Sequence, residues 1–549
     1  MRNTKLTRLV AMLLALMMAF ALTACGGGDD AADDTATDTK TESSTSTDTK
    51  KEDNKKTDDA PVEPTYKSEI NVAINANPPT LDVHLVNSNI IGGIAYHTNE
   101  PLFALDGNYE VQPVLAEGYT VSDDGLVYTI TLRKGVKFHN GQEMTADDVV
   151  ASMTRWLSLS GKAKALLDGT VFAKVDDYTI TMTLPQAYAD TMTVVAGSIQ
   201  WAAIYPKSSI DSAGDAGITE FIGTGPYKLE EWKQDQYVLL TKYADYAQPE
   251  GESSGFAGKK EAYAEKIYYR VVTDETTRIA GVQTGEYDVS EGISLEQYET
   301  LAADKNVSLS VKTAGTLNMF FNTSKRVLQN ADLRQAVLAA INCDDVMLAA
   351  YGDPNLYVLN PGWCNPDDAA WGTDAGKDYY NQNNPEKAKE LLTKAGYKGE
   401  EIVLVTTPDY PEMYNATLVV QQQLIAAGMN AVVEQYDFAT FMEHRANTDQ
   451  YDLFITSNRY NLSPVQLSVL TKDWAGLNAQ EVDDGIVKIR TAASQAESSA
   501  AWADLQEFLY EYGSSIVFGH YSGLIAANAD VEGFTYFDLP IYWNVKVPE

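Results

Sequence analysis

Residues Ser122–Val150 read SDDGLVYTITLRKGVKFHNGQEMTADDVV. Asp123-Asp124-Gly125 is a turn, because Asp and Gly tolerate the backbone angles that a tight reversal demands. Tyr128, Ile130 and Leu132 alternate with Thr129 and Thr131, the period of a half-buried strand. Lys134-Gly135 breaks that strand, Val136-Lys137-Phe138 starts a second, and Asn140-Gly141 turns again. Thr145 and Asp148 stand three apart ahead of an apolar run, the spacing of a capping box that opens a helix. The stretch is predicted as strand, turn, short strand and capped helix.

Around it lies a chain of 549 residues, enough for two or three domains. A net charge of −36 gives a surface that repels nucleic acid and excludes a phosphate-backbone partner. The three cysteines, Cys25, Cys343 and Cys364, contain no CxxC pair, so a structural zinc site is excluded. Cys343 and Cys364 could pair in an oxidising compartment, but spacing does not establish geometry, and two buried free thiols is the favoured reading.

At the N-terminus Arg2, Lys5 and Arg8 precede the apolar run Leu9–Leu22, too short to cross a bilayer comfortably and followed by small residues, as in a secretory signal peptide. Leu22-Thr23-Ala24-Cys25 resembles a bacterial lipobox, which makes Cys25 the lipidated first residue of the mature chain. Asp29 to about Tyr66 is almost free of apolar side chains and is expected to be a disordered tether.

The folded body starts near Ser68, with Ile70, Val72 and Ile74 alternating in a first strand. Val175–Leu184 is another turn and strand. Gly223-Thr224-Gly225-Pro226-Tyr227 forces a bend ahead of a hairpin, and no GxGxxG or GxxxxGK[ST] accompanies it to support phosphate binding. Asp274 begins a helix that carries Arg278, with Gly285 as its C-cap. Phe321-Asn322 ends a strand, and a helix runs from Asp332 through Ala339 to about Met347. PEKAKELLTKAGY, residues 385–397, is a helix capped by Asn384 and stopped by Gly396. A strand (402–406), a helix (413–427) and a strand (431–436) follow, the alternation of an α/β lobe. Ser514–Ala527 is a late crossing segment.

These blocks, in this order, resemble the family-5 extracellular solute-binding proteins, the dipeptide-, oligopeptide- and nickel-binding receptors of bacterial ABC importers. The resemblance covers the body from about residue 68 to the end. It implies an α/β, two-lobed, type II periplasmic-binding-protein-like fold with the ligand cleft between lobes. The implied layout is a lipoprotein signal peptide over 1–25, an acidic and polar tether over 26–66, and lobe one over 67–108, 219–312 and 512–549. An α+β subdomain inserted in lobe one spans 109–218, and lobe two spans 313–511. Two positions depart from the family pattern: Lys242-Tyr243 stand for its Arg-Asn, and Asn342 stands where an acidic residue is usual.

Nothing in the sequence supports catalysis. His84, His97, His139, His444 and His520 form no HExxH or other metal spacing, and there is no GxSxG elbow. Glu286 and Asp288 read as a solvated helix end. No cofactor is implied. The resemblance instead places a solute against Asn87, Ser88 and Asn89 of lobe one and against Trp363, Asn458, Arg459, Tyr460, Asn461 and Trp474 of lobe two. In peptide-binding members an Asp at the position of Asn461 pairs with the peptide's α-amino group. Asn461 carries no charge, and Arg459 beside it suits a carboxylate better than an ammonium. A short peptide leads, with an oligosaccharide, a nickel complex or another solute, or a peptide-signal sensor role, as alternatives; a secreted hydrolase is a distant one. The implied partners are an ABC permease with its ATPase and the membrane through the lipid anchor, with no nucleic acid. The protein is expected to be a monomer, outside the cytoplasm, anchored to the cell membrane by Cys25.

Overall fold

Two long antiparallel strands, Val307–Phe321 and Ser515–Asn528, pair along nearly their whole length and carry the architecture. In the computed structural model, which describes residues 65–214, 217–472 and 477–549, they form the middle of an eleven-stranded sheet. Cys25, the signal peptide, the tether up to residue 64 and Trp474 lie outside the described residues. Tyr66 bridges Pro548, and the amide of Lys67 donates to Val547 O at 2.7 Å.

One side of the sheet adds Leu453–Arg459, then Glu401–Thr406 and Asn430–Gln435, the last three mutually parallel. The other side adds Val289–Ser290, Glu69–Ile74, Lys266–Val271, Tyr237–Lys242 and Tyr227–Lys233. The two long strands serve two cores. Ile525 and Ala527 belong to the first core, which includes Ile70, Val72, Trp156 and Trp543. Leu317, Met319, Phe320 and Phe321 belong to the second core, which includes Trp363, Trp502 and Tyr510. The register slips between Thr313 and Gly315, where the strands pass from one core to the other. Gly315 has no room for a side chain: a Cβ there would collide with the carbonyl oxygen of Asn458.

The opening stretch folds largely as its residues demand. Val127–Leu132 is the second strand of a four-stranded sheet, between Ala116–Val121 and Thr179–Thr183, with Val171–Asp176 outermost. Helix Ala146–Leu159 starts where Asp148 Oδ2 accepts the Thr145 amide at 2.9 Å, the acidic half of the capping box. Its buried face, Val149, Met153 and Trp156, joins the first core. Val136–Phe138 is not a strand. Both edges of Val127–Leu132 are already paired, so this piece keeps a single bridge, Lys137 to Glu143, and buries Val136 and Phe138.

A second difference falls at Asn342. The predicted helix to Met347 is two helices, Ala331–Ala340 and Cys343–Tyr351. The Asn342 side chain accepts from the amides of Asp344 and Asp345, so it restarts the helix instead of continuing it. Helix Pro385–Ala395 has the predicted ends: Asn384 accepts from Lys387 N at 3.0 Å and Gly396 closes at φ 70°. Cys343 and Cys364 are both free thiols.

Candidate functional site

A cavity of about 350 Å³ lies between groups from both cores, with Thr313, Ala314, Tyr521 and Gly523 of the two long strands on its wall. The first core contributes the N-terminal end of helix Asn89–Thr98, with Asn87, Ser88 and Asn89 all facing the cavity. Ser88 is the N-cap but makes no side-chain cap hydrogen bond. The partial positive charge of the first-turn amides is therefore left uncompensated by the cap. The strand end Arg459 and the following Tyr460, Asn461 and Leu462 approach from the second side. Leu462 continues across and packs against Gly197 in the first core.

The two sides are tied by polar contacts. Arg459 donates to Asn89 Oδ1 at 3.0 Å. Lys162 Nζ donates to Asn461 Oδ1 at 2.9 Å, and Gln466 donates to the Lys162 carbonyl at 3.1 Å. Asn365 Nδ2 donates to the Tyr109 hydroxyl at 2.7 Å. Lys162 follows directly on the helix of the opening stretch, in helix Gly161–Leu167. Burial, then the nearby Arg459 guanidinium, holds its ammonium below the ordinary lysine value. Trp156 of the same stretch donates to Gln200 O at 2.8 Å, supporting another cavity residue.

Two acids also face the cavity. Asp538 is raised by burial, partly offset by hydrogen bonds from the Ser198 hydroxyl at 2.6 Å and the Tyr109 hydroxyl at 3.0 Å. Asp368 is pushed up to about 6 by burial, although it accepts from the amides of Ala370 and Trp371. Aromatic walls come from Tyr109, Trp201, Tyr460, Tyr521, Tyr536 and Phe537. Tyr460 is held by a 2.8 Å hydrogen bond to His520 Nδ1. Among the described residues no group of three or more His, Cys, Asp or Glu is placed to hold a metal ion.

Of the residues singled out in the sequence, Asn87, Ser88, Asn89, Arg459, Tyr460 and Asn461 line this cavity. Trp363 does not. Its ring is 3% exposed and packs 4.8 Å from Tyr510 in the second core, while the next residues, Cys364 and Asn365, line the cavity. The loop borders the cavity, but the Trp363 ring turns away from it into the core. Asn458 is paired with Thr316 inside the sheet and does not line the cavity. Lys162, Trp201, Asp368 and the Tyr536–Leu539 segment carried no recognisable signal in the sequence.

A cleft closed by residues from two α/β bodies, joined through continuous strands, defines a two-lobed solute-binding protein. Residues 110–472 match the model of bacterial extracellular solute-binding proteins, family 5, and the chain belongs to that family. It is 33% identical over 382 residues to the glutathione-binding protein GsiB of Salmonella choleraesuis, covering 67% of this chain and 70% of that one. It is 26% identical over 479 residues to the probable peptide ABC transporter periplasmic-binding protein y4tO of Sinorhizobium fredii, covering 81% and 87%. The fold matches the ABC transporter substrate-binding protein CtaP of Listeria monocytogenes with a TM-score of 0.76 at 19% identity, over 88% of this chain and 100% of that one.

Proposed function

We propose that this chain is the extracytoplasmic receptor of an ABC import system, capturing a short peptide or peptide-like solute and presenting it to a membrane permease and its ATPase. The observation that carries this reading is the enclosed cavity, walled by both lobes and bridged by Arg459–Asn89 and Lys162–Asn461. Its size suits a small solute. The peptide part rests on the relatives, whose names give glutathione and peptides as their solutes. Asn87, Ser88, Asn89, Arg459, Tyr460 and Asn461 are the proposed contacts, acting by binding without turnover of the solute.

Cys25 is proposed as a lipidated anchor that holds the body outside the cell membrane, with 26–66 as tether and one chain as the working unit. Cys25→Ser should release the protein from membrane fractions; retention in that variant would remove the anchor from the proposal. For the solute, thermal-shift screening of short peptides against oligosaccharides and nickel chelates decides. A bound solute raises the melting temperature by mass action. Stabilisation by peptides is expected; stabilisation by sugars or chelates alone would displace the peptide reading.

A further inference from the structure

Four features of the cavity wall donate hydrogen bonds or present positive charge, and none meets an anion. Lys162 and Arg459 make no ion pair among the described residues; each donates to a neutral side-chain amide, Asn461 and Asn89. The N-terminus of the ten-residue helix Asn89–Thr98 faces the same space with no side-chain cap bond from Ser88. Trp201 lines the cavity, is 1% exposed, and its Nε1–H has no hydrogen-bond partner.

The two cavity acids differ in this respect. Asp538 already accepts from Ser198 and Tyr109 and is partly balanced by Lys312. Asp368 accepts two backbone amides, and burial brings its protonation close to neutral pH. By formal count Asp538 and Asp368 match Lys162 and Arg459, but each acid is hydrogen-bonded by its own neighbours, whereas the two cations meet only neutral amides. The chain's overall −36 does not pair with them, because distant surface charges are screened over ~8 Å at physiological salt, whereas contacts inside a cleft are not.

Resting on the receptor reading above, we infer that the cavity binds its solute through an anionic group, a carboxylate, held by Lys162 and Arg459 beside the N-terminus of helix Asn89–Thr98. The solute class is small carboxylic acids; for a peptide, a carboxylate occupies the place where an α-ammonium would meet an acidic side chain. Arg459 offers a planar fork suited to two carboxylate oxygens, and Lys162 a point charge from the opposite side of the cleft. An anion between them would offset the repulsion that the Arg459 guanidinium exerts on the Lys162 ammonium.

The test is isothermal titration of the full chain, stripped of bound solute, with matched acid and neutral pairs: alanyl-alanine against alanyl-alanine amide, glutathione against its diamide, and gluconate against glucose. In any pair that binds, the acid is expected to bind at least about ten-fold tighter, as a charge-assisted contact in a closed site requires. Lys162→Met and Arg459→Gln should each shrink that preference, and their unliganded melting temperatures report that both fold. Equal affinity within a peptide pair overturns the carboxylate inference and leaves the receptor reading standing, as does a preference that survives the combined variant. Gluconate selectivity with no peptide binding supports the inference and overturns the peptide reading. Binding of nothing in the panel counts against both.

Discussion

Lys162 Nζ lies 2.9 Å from Asn461 Oδ1, joining residues 299 apart in sequence across the cleft. Arg459 to Asn89 repeats the pattern, and a further link lies outside the cavity lining. There Arg490 pairs with the buried Asp190 at 3.2 Å, donates to the carbonyl of Leu166, and stacks 3.8 Å over the Tyr188 ring. Arg490 belongs to helix Gln480–Thr491, which packs in the second core, while Leu166 belongs to the first. The two lobes are thus joined across the cleft by the protein's own groups.

Arg490→Met should favour the open form. Removing one partner of a buried pair costs about 3–5 kcal/mol in the state where the other stays buried, and opening re-exposes Asp190 to water. Small-angle scattering of the unliganded variant should show a larger radius of gyration, with solute affinity weakened by about ten-fold or more. An unchanged radius and affinity would mean that the Arg490 link does not hold the lobes.

Asp82, in the loop between strand Glu69–Ile74 and helix Asn89–Thr98, is joined to Arg155 in the helix of the opening stretch. Burial alone would raise its carboxyl, but the Arg155 guanidinium, donating at 2.6 and 3.0 Å, and the Ile218 amide at 2.9 Å outweigh that and hold it below the ordinary value. Arg155→Met strands this carboxylate and is expected to destabilise the protein by about 3–5 kcal/mol in urea unfolding. The combined Arg155→Met and Asp82→Asn variant should recover part of the loss. A loss below about 1 kcal/mol, the range of an exposed pair, would contradict the buried-clamp reading.

Gly315 sits at the register slip between the cores. A valine there would collide with the Asn458 carbonyl and the Tyr521 ring, so Gly315→Val must distort the strand crossing. A melting temperature several degrees lower is expected, from overpacking of about 1–3 kcal/mol, together with impaired solute binding. A variant that keeps both would show that the crossing has slack.

Four histidines are held neutral, three of them buried (His84, His97 and His520) and one, His139, half-buried. His97 and His84 are pushed down to about 3, and His139 and His520 to about 4, by burial first. His97 shows why: Nδ1 meets Gly93 O at 2.7 Å and Nε2 accepts the Tyr542 amide at 2.9 Å, leaving no place for a second proton. Their folded values lie below the ordinary 6.5, so the stability they contribute is complete above that pH and is lost as pH falls towards the folded values. Buried acids act in the opposite direction: Asp538 and Asp452 are raised, but only Glu291, raised to about 7, and Asp368, raised to about 6, are placed in the pH 5–7 interval, two against four histidines. The melting temperature should therefore fall between pH 7 and 5, less steeply in His97→Gln. A rise over that interval would mean that the buried acids dominate.

Much of the fold was legible because local rules agree with it. Asn384, Pro385 and Gly396 bound a helix whose ends need no tertiary information, and the Tyr128–Leu132 alternation survives as a sheet face. What failed was decided elsewhere: Val136–Phe138 had no free strand edge to join, and Asn342 capped a helix that its neighbours alone would extend. The segments 87–89 and 459–461, singled out by likeness to the family, line the cavity. Lys162 was not singled out, because a lysine in GKAKALL looks like any helix-surface lysine until Asn461 is brought against it. Trp363 failed by one step of register, since an aromatic next to a cleft loop serves core and ligand equally well by type.

Native mass spectrometry of the purified chain tests the central claim most directly. A single small solute should be retained by the wild-type protein and absent from Ser88→Trp, in which an indole fills the mouth of the helix-lined cavity while the fold keeps its melting behaviour. A solute that stays bound in Ser88→Trp, or its conversion to a product by the wild-type chain, would contradict a receptor that works through this cleft.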